Sequence, residues 1–228
     1  MIVDDIIAEI LKDKPETVPN IYIVGLQIKP GGYGEGDTIC GTSVPKLRHI
    51  AKKYRDIHLS DCEKLLQNNL HEARFVAVTI LKHIFKNCPK DVVSLYLKNI
   101  SYVNNWDLVD CSAPHIIGPY SLITKNNSII DELSESASLW ENRIAVVSTL
   151  AHIKAGNFLP TVNLCHKFIN HKHHLIQKAC GWMLREVSKK DPHIVLEFVS
   201  DHPEISSIMK SYALEWMRKN KHIYTAYL

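Results

Sequence analysis

The chain has 228 residues, 46% of them hydrophobic and 22% charged, which is the composition of a folded globular protein and excludes a largely disordered one. Its net charge of +3 says little by itself, but the charges are segregated: residues 1–45 hold 3 basic against 7 acidic side chains, 46–90 hold 10 against 4, 91–150 hold 3 against 7, and 151–228 hold 11 against 6. Two basic blocks flanking an acidic middle suit a polyanionic partner, although a solvated helix face has the same signature.

The first residues, MIVDDIIAEILKDK, carry Asp4 and Asp5 where a signal peptide would be basic, and no later stretch offers about 18 unbroken apolar residues. Neither a targeting nor a membrane-spanning segment is expected, which predicts a cytoplasmic protein, nucleoid-associated if bacterial. Six cysteines without a C-x-x-C pattern fit reduced, mostly buried thiols. The segment IYIVGLQI (21–28) alternates enough for a strand, yet a lone strand has nothing to pair with, so a helix is predicted. GGYGEG (31–36) lacks the Lys-Ser/Thr of a phosphate-cradling loop and reads as a flexible connector.

From about residue 43 the pattern is helix after helix, predicting an all-α fold. Ser43 with Pro45 marks one start, Ser60-Asp61-Cys62-Glu63 fits a capping box, and Pro89-Lys90-Asp91 and Asp191-Pro192 mark two more. Longer apolar helices are expected to begin near His71, Trp106, Trp140, Leu175 and Ser206, spaced by roughly 31–36 residues. That period predicts a single helical-hairpin solenoid, with residues 1–42 as a cap and Gly-rich loop and 43–228 as stacked helix pairs, whose second helices line a concave surface.

Within those second helices Arg74, Asp110, Arg143, Lys178 and Lys210 fall in register, 36, 33, 35 and 32 residues apart. Four cations in a row suit a phosphate backbone. The one aspartate repels such a partner, which raises the question of whether it performs chemistry. It lies in NNWDLVD (104–110), where Trp106 and Asp110 are one helical turn apart on one face. Read without further context, Trp106 fits inter-repeat packing as well as binding, and Asp110 fits a solvated or inter-repeat polar residue as well as a catalytic one. Asp107 is assigned to the helix dipole, Trp140 and Trp216 to packing, and Cys111 points off the face of Asp110. The run His171-Lys172-His173-His174 has no accompanying Cys or carboxylate cluster and reads as a solvated turn, so no metal site and no cofactor is expected.

The segments PGGYGEGDTICGTSVPKLRHIAKKY, HEARFVAVTIL, NNWDLVDCSAPHIIG, WENRIAVVSTL and LIQKACGWMLREVSKKDP together resemble the AlkD-type DNA alkylation repair glycosylases, which are built from HEAT-like helical repeats. The resemblance implies a HEAT-like solenoid with a concave DNA-binding groove and a monomeric, monofunctional alkylpurine-DNA glycosylase acting on duplex DNA with alkylated bases. It implies Asp110 as the catalytic residue, Trp106, Trp182 and Arg143 as contacts to the lesion, and Arg74, Lys178 and Lys210 as contacts to the DNA backbone. Two departures stand out: Asn142 replaces the first of the family's paired arginines, and the apolar IYIVGLQIKP stands where a basic aromatic helix is usual. A non-catalytic DNA- or protein-binding scaffold on the same fold is the competing reading, with a protein-partner adaptor behind it.

Overall fold

The computed structural model of the protein describes residues 1–12 and 14–220. Among the described residues every regular element is helical, apart from one isolated parallel bridge between Thr38 and Leu70. No helix among them is long and apolar enough to cross a membrane. Contacts divide the chain into two compact units, 1–116 and 117–228.

The first unit contains α1 (Ile2–Lys12), α2 (Asn20–Gly25), α3 (Val44–Lys53), α4 (Leu59–Leu66), α5 (His71–Ile84), α6 (Pro89–Lys98) and α7 (Trp106–Ser112), with short 3-10 turns at Ile100–Tyr102 and Ala113–His115. Helix α1 is amphipathic and buries Ile6 and Ile10, at the i, i+4 spacing of one stripe. Helix α5 is different in kind. It is buried continuously from His71 to Leu81, because α1, α3, α4 and α7 all pack against it. Each fully buried Ile or Leu in such a helix contributes about 1.5–3 kcal/mol of transfer free energy.

The starts at Ser43 and Pro89 are observed, each with proline in the first turn where its missing N–H costs nothing. The capping box is not. Helix α4 begins at Leu59 after His58, so Ser60 lies inside the first turn. The segment 21–28 is helical only as far as Gly25 and then turns, since Gln27 takes a left-handed backbone with φ of 52°.

The second unit contains α8 (Ile117–Thr124), α9 (Ser128–Glu135), α10 (Leu139–Ser148), α11 (Leu150–Lys154), α12 (Leu159–Lys167), α13 (His174–Ser188), α14 (Pro192–Asp201), α15 (Ser207–Ala213) and α16 (Glu215–Lys219). Its centre is α13, against which α10, α12, α14 and α15 pack. The close approach of α15 requires Gly181, where an added Cβ would lie 2.7 Å from the Met209 carbonyl oxygen. Asp191 caps α14 by accepting from the His193 amide at 3.0 Å, as the Asp-Pro signal predicts. Within 171–174, His173 caps α13, accepting from the Leu175 amide. The cysteines are all free thiols.

Candidate functional site

Helix α7 is short, and its N-terminus is organised by its own sequence. Asn105 precedes the helix in extended conformation, and its side-chain oxygen accepts from the Trp106 amide at 2.8 Å. The Asp107 Oδ1 accepts from the Leu108 amide at 2.9 Å. Two first-turn amides that lack a partner within the helix are thereby satisfied. Leu108, Val109 and Ser112 turn inward and are buried, while Trp106, Asp107 and Asp110 remain half-buried at the surface.

The end of α2 and the loop after it fold back onto this turn. The Trp106 indole Nε1 donates to the Gly25 carbonyl at 2.9 Å, and the Tyr33 hydroxyl donates to the same oxygen at 2.9 Å. Asn105 Nδ2 donates to the Leu26 carbonyl at 3.0 Å. These carbonyls are left over at the C-terminus of α2, so three side chains complete them. The Gly-rich segment, expected to be a loose connector, is a built contact: a Cβ at Gly34 would overlap the Leu26 carbonyl oxygen and crowd Asn105. Trp106 is therefore held in one orientation through its N–H, with the ring remaining for other contacts.

Below this turn lies a buried polar network in which Arg74 alone was among the expected site residues. The His71 ring bridges two carboxylates, Nδ1 to Asp37 Oδ2 at 3.2 Å and Nε2 to Asp107 Oδ2 at 2.8 Å. Arg74 Nη2 donates to the same Asp37 oxygen, and Asn104 Nδ2 donates to Asp37 Oδ1 at 3.2 Å. Burial by itself would push the imidazole down, but the hydrogen bonds to Asp107 and Asp37 outweigh it and raise its pKa to about 9. At neutral pH His71 is an imidazolium, and with Arg74 it balances the two carboxylates. Asp37 is held below the usual carboxylate range, because His71 and Arg74 outweigh the effect of its burial. One residue along, the buried Glu72 carboxylate accepts from the Cys40 and Gly41 amides at 3.1 and 2.7 Å, fastening the segment that follows Asp37.

The expected backbone contact Arg74 does not face solvent. It is 4% exposed, and its guanidinium is taken up by Asp37 and the Asn68 carbonyl, so at this register position the cation pairs with two loops that flank its helix. Arg143 is likewise 5% exposed, with Nη1 donating to the Leu175 carbonyl at 2.6 Å near the start of α13. Lys178 and Trp182 follow on one face of α13, half-buried and one turn apart, and Lys210 is exposed on α15. Asp107, assigned to the helix dipole alone, does satisfy a first-turn amide, but it also grips His71. A signal for this existed: His71 and Asp107 each stand three residues before their register positions, 36 residues apart. Cys111 donates to the Leu108 carbonyl at 3.6 Å, and burial pushes its thiol far up, so it presents no thiolate. Among the described residues no cluster of three or more His, Cys, Asp or Glu side chains could hold a metal ion.

A solved structure described as a predicted DNA alkylation repair enzyme from Enterococcus faecalis superposes with a TM-score of 0.70 at 18% identity, covering 81% of this chain and 90% of that one. It shares the all-α helical-repeat fold. No curated protein sequence matches. The family described as DNA alkylation repair enzyme matches residues 26–217, a span that takes in the loop over Trp106, the whole of α7 and the register cations, and the chain belongs to that family.

Proposed function

We propose that the protein is a DNA glycosylase that hydrolyses the N-glycosidic bond of purines made cationic by alkylation at N3 or N7 in duplex DNA. The observation that carries this reading is the pairing on α7 of an indole anchored by its N–H with a half-buried carboxylate one turn later, in a chain of the alkylation repair family.

Most glycoside hydrolysis needs two carboxylates, one of which protonates the leaving group. An N3- or N7-alkylated purine already carries a positive charge and departs as a neutral base, so one carboxylate suffices. As the C1′–N bond breaks, positive charge moves to the deoxyribose. Asp110 stabilises that charge, orients the water that adds to C1′ and accepts its proton. Trp106, one turn before Asp110, holds the cationic lesion against its ring face, worth roughly 0.5–2 kcal/mol, and Trp182 is proposed as a further aromatic contact to the DNA. With Arg74 buried, the backbone contacts fall to Lys178 and Lys210, while Arg143 supports the start of α13 that carries Lys178 and Trp182. The enzyme acts as a monomer.

Release of 7-methylguanine from a duplex oligonucleotide, wild type beside Asp110→Asn, tests the reading. Loss of one preorganised electrostatic stabiliser lowers the rate by about 10²–10³, with duplex affinity unchanged or higher because a repulsive charge has gone. If wild type binds duplex DNA but releases no base, the protein is a binding scaffold on the repair fold.

A further inference from the structure

Nothing in the proposed reaction accounts for four charged side chains at the base of α7. We infer that His71 is a positioning residue: bridging Asp37 and Asp107, it clamps the loop before α3 to the first turn of α7 and so fixes the placement of Trp106 and Asp110. The catalytic part of this inference rests on the glycosylase reading.

His71 is 3% exposed, Asp37 5% and Asp107 18%, so the bridge is shielded from competing water. Asp107 uses both oxygens, Oδ2 toward His71 at 2.8 Å and Oδ1 toward the Leu108 amide at 2.9 Å, so the ring's position passes directly to the α7 backbone. Trp106 precedes Asp107 and Asp110 follows it by three residues, so a shift of that turn moves both. At its far end the clamp is anchored. The His71 amide donates to the Thr38 carbonyl at 2.8 Å, and Asn104, just before the turn, reaches Asp37. Hydrophobic packing could hold α7 as firmly, yet it would leave the helix free to slide by small amounts; a bidentate ionic bridge fixes one register.

The charged groups facing the ring are Asp37 from the loop, Asp107 from α7 and Arg74 from its own helix. When the imidazolium loses its proton, Arg74 alone is left against two carboxylates, and the ring can donate to only one of them. The raised pKa of about 9 keeps the clamp closed at neutral pH.

Hydrogen exchange of the full-length protein, referenced to intrinsic chemical rates, tests the clamp without reference to activity. In wild type, protection over 104–112 is expected to fall about tenfold as pH rises through about 9. His71→Gln and Asp107→Asn are expected to show the same local loss already at pH 7 and to flatten that pH dependence. In single-turnover excision of 7-methylguanine both variants are expected to be about 10–100-fold slower, with duplex affinity within about twofold of wild type. Protection over 104–112 that is flat with pH and within about twofold of wild type in the variants overturns the clamp, as does a loss spread evenly over all helices. Should His71→Gln fail to fold, Asp107→Asn and the wild-type pH profile decide. An inactive wild type overturns the glycosylase reading, while the exchange result decides the clamp on its own.

Discussion

Stability of the native protein should fall in mildly alkaline solution, and His71 should be the cause. Its pKa rises from an ordinary 6.5 to about 9 on folding. A group with a raised folded pKa adds stability that is fully present below the unfolded value and is lost as pH climbs through the folded one. At about 1.4 kcal/mol per pH unit, the window from 6.5 to 9 corresponds to about 3 kcal/mol. The ring is almost wholly buried, so solvent screening takes little from that figure. Five other histidines act in the opposite sense: burial lowers the pKa of His83, His152, His171, His173 and His174, so their contribution to stability rises with pH through the unfolded value near 6.5 and does not fall in alkaline solution. The assay is urea unfolding of wild type and His71→Gln at intervals from pH 6 to 9.5. The wild-type advantage at pH 6 is expected to shrink by about 3 kcal/mol by pH 9.5. Parallel curves, with a gap constant to within about 0.5 kcal/mol, refute the charged bridge.

Two further perturbations probe the surroundings of the site. Gly34→Ala places a methyl group against the Leu26 carbonyl and should cost about 1–3 kcal/mol in urea unfolding, with altered tryptophan emission as the anchor of Trp106 shifts; Gly25→Ala, whose Cβ meets nothing within 4 Å, should be neutral or slightly stabilising. Lys210→Ala should lower the slope of log affinity against log salt for duplex DNA by about 0.9, and an unchanged slope removes this exposed lysine from the interface.

The helical character of the chain and about half of the helix starts were legible from local chemistry: proline in the first turn, Asp before proline, and apolar spacing near 3.6. Those signals act within a few residues, so α5, α7, α10, α13 and α15 begin within one residue of their expected places. The family-bearing segments were legible for the same reason, since their residues are contiguous. Ser60 misled because its pattern also fits a helix interior, and the backbone of 58–59 alone decided the start.

What the sequence determined by itself, then, was which stretches coil and which positions are equivalent from one repeat to the next. Equivalence does not report depth. Arg74, Arg143, Lys178 and Lys210 share a register, yet Arg74 is buried against the loops that carry Asp37 and Asn68 and Arg143 against the start of α13, while Lys178 is half-buried and Lys210 exposed. Only tertiary packing decided that, because the burial of a side chain depends on how many neighbours close over its helix, and α5 is enclosed on nearly every side. The same packing brings Asp37, His71 and Asp107 together across 34 and 36 residues of sequence. Charge pairing at such separations has no local signal; it exists only once the loop has closed over the first turn of α7.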